Sequence, residues 1–223
     1  MKNKKDQELI EINKKYRREK INNFFVTLFV ISVILLNVVT TILFLNSAEP
    51  ETTLYFTANN TENQSWVGYL LMHFSHAGVF HLLINLFVFY VVMMSFYTNA
   101  YDWCWVKIVV VTLVAIPVTS AIMYLWLNNI TEDVQRHLGF SVLIATYMGI
   151  LFMESYSDRF WIIEAAVVSF FVGFLIDISH LGHIVGFLCG VFFAYINARI
   201  EFYLSEKRDK NFIKEEKNNE KNN

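Results

Sequence analysis

Four polar side chains at the edges of long apolar runs are of types that carry out acyl transfer together: Ser141, His183, His81 and Asn85. A serine hydroxyl is a weak nucleophile and needs a base, and neutral imidazole is the usual one near pH 7. The tetrahedral intermediate then needs fixed hydrogen-bond donors at its oxyanion. His81 and Asn85 are spaced i, i+4, so on a helix they share one face and could supply those donors. Ser141 heads a stripe of small residues at helical spacing with Ala145 and Gly149, and His183 heads another with Gly186, Gly190, Ala194 and Ala198. Small-xxx-small stripes let helix backbones approach closely in a bilayer. Two such stripes packed side by side would bring hydroxyl to imidazole.

The elements that must position these groups are membrane helices. The 223 residues are 55% hydrophobic, mean hydropathy is +0.40, and there are only two prolines. Of 18 Lys and Arg, all but Lys107, Arg136 and Arg159 lie within residues 1–20 or from Arg199 onward. Apolar runs separated by short polar stretches, with so few internal cations, describe a polytopic all-α membrane protein. Six spans are expected, at about 24–45, 80–97, 105–127, 139–154, 161–176 and 181–203 by length and hydropathy. The chain thus divides into a charged tail (1–20), a six-helix membrane domain (21–204) and a second charged tail (205–223) that is expected to be disordered. Trp66 and Tyr69 are expected as interfacial anchors before the second span.

Orientation follows from the cations. Both tails are basic, so both are expected in the cytoplasm, as an even number of spans requires. The second, fourth and sixth spans then enter from outside, each with its polar residues in its first turns. Intramembrane ionisable residues are functional candidates by default. The lipid bilayer, expected to be the cell membrane, is the one partner that composition itself implies; acidic residues alternate with the cations of both tails, which argues against nucleic acid. Cys104 and Cys189 form no CxxC and cannot make a disulfide framework. His73, His76 and His81, or His180 and His183, have spacings that could ligate a metal, but no HExxH is present and Asp177 is the one carboxylate near them, so no metal is expected.

The residues in sequence resemble the signature of the rhomboid intramembrane serine proteases. Phe74-Ser-His76, with His81 and Asn85 after it, looks like the family's FxH...HxxxN. Gly139-Phe-Ser141 resembles most of GxSG, and His183-Ile-Val-Gly186-Phe-Leu-Cys-Gly190 resembles HxxGxxxG. The resemblance implies a six-helix rhomboid-like bundle at the cell membrane. It also implies a Ser–His dyad of Ser141 and His183, and an oxyanion hole of His81, Asn85 and the Ser141 N–H. Gly139 would allow a tight turn before the serine, and His76 would be structural, linking the loop to the entrance of the second span. Substrates would be other transmembrane proteins, with no cofactor; oligomeric state is not implied. The family's acidic GxxxExxxG-like stretch after the second span has no clear counterpart, no Trp-Arg pair occurs in the first outer loop, and two positions beside the serine depart from the pattern. Val142 replaces the second glycine of GxSG, and Ala145 replaces an aromatic residue against which the imidazole packs. They favour the alternative of a catalytically inactive rhomboid-like protein that binds transmembrane clients.

Overall fold

The computed structural model describes residues 2–46, 66–99, 105–129, 139–155, 159–164 and 180–222, and no strand occurs among them. The elements in chain order are α1 (Lys2–Leu45), α2 (Trp66–Leu71), a 3-10 turn (Met72–Phe74), α3 (Val79–Asn99), α4 (Trp105–Asn129), α5 (Ser141–Glu154) and α6 (His180–Asn222). A short helical piece at 159–164 lies between α5 and α6. Among the described residues four helices are long and apolar enough to cross a membrane, over Ile12–Leu45, Val79–Phe96, Trp105–Trp126 and Gly182–Lys210. They correspond to the first, second, third and sixth expected spans, and α5 to the fourth. The fifth, expected at 161–176, lies outside the described residues beyond position 164.

The helix α5 is the centre of the bundle. It has 14 residues, and every residue from Leu143 to Leu151 is buried. At about 1.5 Å per residue it is about 21 Å long, short of the ~30 Å hydrocarbon core. Its neighbours are α6 along its length, with α3 and α4 on other sides. The core around it holds Phe89, Phe96, Phe140, Tyr147 and Leu151. Tyr147 and Thr112 of α4 share a hydrogen bond between their hydroxyls. Outward faces are apolar as well: Phe87 of α3, Leu113 of α4 and Leu188 of α6 are all exposed. In a bilayer such faces meet acyl chains, so packing and hydrogen bonds rather than water exclusion hold the helices together.

Three expectations change. The tail after Ser205 continues α6 as a helix through Asn222. Its acidic and basic residues fall a turn apart, and Lys210 pairs with Glu206 at 2.6 Å, which favours helix over coil. Tyr69 is not an interfacial anchor: it is buried, edge-on to Tyr124 at 5.3 Å, while the exposed Trp66 stacks on Tyr124 at 4.7 Å and touches Tyr69 at 5.9 Å. Ala198 does not extend the small-residue seam. Ala194 is buried but Ala198 is exposed, because α5 ends at Glu154 and α6 runs on past it.

Candidate active site

The turn into α5 sets the position of Ser141. Gly139 has φ +131°, a conformation that residues with a Cβ rarely adopt. Phe140 follows as the helix cap without any side-chain capping bond. Its ring is fully buried, edge-on to Phe89 at 4.9 Å and stacked on Phe74 at 6.0 Å. The N–H groups of Leu143 and Ile144 both donate to the Phe140 carbonyl, at 3.0 and 3.1 Å. Ser141 is therefore in the first turn, where backbone N–H groups have no acceptor within the helix.

The turn is tethered to the segment before α3. Gly139 N–H donates to Met72 O at 2.7 Å, and Phe140 N–H reaches His76 Nε2 at 3.5 Å. That segment is held in turn by α1, through Thr40 Oγ1 to Phe74 O and Thr41 Oγ1 to His76 Nδ1 (3.1 Å), and by α4, through Ser120 Oγ to Tyr69 O (2.7 Å).

The other half of the site is placed by the α5–α6 seam. A Cβ on Gly186 would overlap the Val142 carbonyl, one on Gly190 would overlap the Thr146 carbonyl, and one on Gly149 would overlap the Phe187 carbonyl. Contacts advance in the same direction on both helices, so α5 and α6 are parallel and in register. His183, one turn before Gly186, then lies beside Ser141, and His183 Nε2 is 2.7 Å from Ser141 Oγ. The Val142 side chain does not wedge the seam open: its Cγ1 occupies the space beside Gly186.

From α3, the His81 ring borders the same space. A Cβ on Gly139 would stand 3.2 Å from His81 Cε1, 3.3 Å from His81 Nε2 and 3.5 Å from Ser141 Oγ. Asn85, one turn further along α3, is 6% exposed, and its Nδ2 has no hydrogen-bond partner among the described residues. Buried amide donors are nearly always paired, and an exception calls for an explanation. A donor kept for a transient acceptor is such an explanation.

The remaining described histidines do other work. His73 is fully buried, and its Nε2 lies 3.1 Å from Ser120 Oγ and 3.3 Å from Thr119 Oγ1. Both hydroxyls donate to backbone carbonyls, of Tyr69 and Ala115, so His73 Nε2 carries the proton. Burial pulls its pKa from 6.5 to about 4. His76 is also fully buried; burial first, then the neighbouring His81, lowers its pKa to about 3. Both are neutral at physiological pH. Among the described residues no group of three His, Cys, Asp or Glu is arranged to hold a metal; the His180 side chain lies outside them.

The family model of the Rhomboid domain matches residues 63–200. The chain belongs to the rhomboid family. With its four long apolar helices it is an integral membrane protein. Rhomboids are intramembrane serine proteases or inactive relatives of them, and they act on transmembrane proteins within the membrane. The match spans every residue of the site from His73 to Gly190 and leaves α1 outside it. No curated protein matches the chain.

Sequence reasoning missed the residues that support the site, namely Thr40 and Thr41 of α1 and Thr119 and Ser120 of α4. The available signal was their position as polar residues inside apolar helices, where a hydroxyl can bond across helices.

Proposed function

We propose that this rhomboid is an active intramembrane serine endopeptidase with Ser141 as nucleophile and His183 as base. The observation that carries the reading is the 2.7 Å separation of Ser141 Oγ and His183 Nε2, which lies within hydrogen-bond reach of a proton to be transferred. His183 Nε2 takes the hydroxyl proton as Oγ attacks the scissile carbonyl. The carbonyl oxygen becomes an oxyanion facing Asn85 Nδ2, the His81 ring and the Ser141 N–H. Collapse of the intermediate breaks the C–N bond, and the His183 imidazolium gives its proton to the leaving amine. Water, deprotonated by the same imidazole, then hydrolyses the acyl-enzyme and restores the serine.

The substrates in this reading are transmembrane segments. A membrane helix bonds its own carbonyls internally, so the scissile one is shielded until the segment unwinds. Gly139, Gly186 and Gly190 shape the site without reacting, and His76 holds the turn before the serine. The concentration of Lys and Arg at the two ends of the chain supports a cell-membrane orientation with both termini in the cytoplasm, so that the dyad opens toward the outer side.

The second reading is client binding without hydrolysis, favoured by Val142 and Ala145 beside the serine. One experiment separates the two. Purified protein is reconstituted with a transmembrane reporter and treated in parallel with a serine-directed fluorophosphonate. Cleavage and labelling by the wild type, both lost in Ser141→Ala, support the protease. Reporter binding with neither cleavage nor labelling supports the client binder.

A further inference from the structure

The contact between α1 and the serine turn runs through one imidazole. His76 Nδ1 is 3.1 Å from Thr41 Oγ1, and His76 Nε2 is 3.5 Å from the Phe140 amide nitrogen. Thr41, His76 and Phe140 are all buried, so water cannot replace a lost partner. The protons can be assigned by elimination. A backbone N–H only donates, so His76 Nε2 must be the unprotonated nitrogen. In a neutral imidazole the proton then resides on Nδ1, and Thr41 Oγ1 must accept it. The Phe140 N–H thereby selects the tautomer, and the hydroxyl on α1 holds the ring by accepting its Nδ1–H.

Removal of that hydroxyl cannot reverse the tautomer, because an Nε2–H would face the Phe140 N–H, donor against donor. It takes an acceptor away instead. A buried Nδ1–H that loses an acceptor is costly, and the ring gains by turning further toward the Phe74 carbonyl, with which it already interacts. Nε2 would then leave the Phe140 N–H, and the turn before the serine would lose its anchor. The His81 ring would feel the same shift, since it lies edge-on to His76 with centroids 5.0 Å apart.

We propose that Thr41 is a positioning residue for the Ser141–His183 site: by accepting the hydrogen bond from His76 Nδ1–H it holds the ring where Nε2 anchors the Phe140 N–H, and so fixes the turn that presents the serine. The proposal rests on the reading of Ser141 as nucleophile. It assigns a role to a residue of α1, outside the matched domain at 63–200.

The test combines a spectroscopic readout with a kinetic one, on the full chain in detergent. With six histidines in the sequence, ring ¹⁵N spectra are simple enough to assign by single His→Gln variants. The expected wild-type result is a neutral His76 protonated at Nδ1. Thr41→Val, close in shape but without the hydroxyl, should keep that tautomer but move the Nε2 resonance toward that of a ring nitrogen with no donor. It should also slow fluorophosphonate labelling by about 10- to 100-fold, the range expected for a nucleophile misplaced by about 1 Å, with kcat falling and KM unchanged. Thr41→Ser should restore both. A wild-type His76 protonated at Nε2 overturns the proposal, as does Thr41→Val with unchanged ring resonances and labelling rate. Should Thr41→Val fail to fold, the wild-type tautomer and a Thr41→Ser variant with wild-type kinetics carry the decision. Absence of labelling in the wild type, with the tautomer as expected, overturns the nucleophile reading and the kinetic half of the proposal while supporting the tether.

Discussion

Gly190 faces the Thr146 carbonyl across the α5–α6 seam with no room between them for a methyl group. Because the obstacle is backbone, a neighbouring rotamer cannot relieve it, and the helices themselves must separate. Gly190→Ala should therefore destabilise the protein by at least the ~1–3 kcal/mol typical of overpacking and widen the Ser141–His183 pair. Thermal denaturation in detergent, followed with fluorophosphonate labelling, checks both effects. Wild-type stability and labelling in this variant would refute the seam as the device that sets the dyad distance.

The two dyad members should rank together. Ser141→Ala should abolish cleavage and labelling, because no other group forms the acyl-enzyme. His183→Ala should come close to it, since the serine proton then lacks its base. Rates from a transmembrane reporter cleavage assay decide the matter, and substantial turnover by either variant contradicts the dyad.

Asn85 should separate activity from stability. Its Nδ2 has no partner among the described residues, so Asn85→Ala sacrifices no hydrogen bond from that atom to them. Removal of one oxyanion donor costs about 10²–10³-fold in kcat, and less if His81 compensates. The melting temperature should change little by comparison. A large fall in stability with unchanged kcat would make Asn85 a structural residue.

Acid should weaken the fold through His73 and His76. Each is held neutral, with a folded pKa of about 4 and about 3 against an ordinary value of 6.5. Below pH 6.5 the unfolded chain binds protons that the folded chain refuses, so stability is full above 6.5 and falls as pH drops toward about 4 for His73 and about 3 for His76. Melting temperatures across that range should fall with pH, and His73→Gln should flatten part of the slope. An equal slope in the variant would contradict this account.

The groups of the candidate site were legible in the sequence because they sit at fixed local spacings. His81 and Asn85 share a helix face, and Gly186 and Gly190 mark the close approach that brings His183 to Ser141. The support was not legible. A threonine in an apolar helix ordinarily bonds back one turn, as Thr40 does to Leu36 O at 2.8 Å. Nothing local distinguishes it from Thr41, whose partner His76 lies 35 residues away. The helical tail escaped for a different reason. Its polar composition suits disorder, while its i, i+4 pairing, as in Glu206 and Lys210, suits a helix.

If this rhomboid is the protease proposed, the shortness of α5 acts as a depth filter on its substrates. At about 21 Å against a ~30 Å hydrocarbon core, this helix falls short by about 9 Å. If its far end meets one interface, Ser141 at its start lies about that far beneath the other. An extended chain covers about 3.3–3.6 Å per residue, so roughly three residues must leave the water and run unpaired into the protein before a carbonyl can meet the hydroxyl. A flexible loop on a soluble protein has every reason to keep those residues hydrated. A membrane helix that loosens near its end is already at that depth, and selection is then made by where a bond can go before it is made by which side chains flank it.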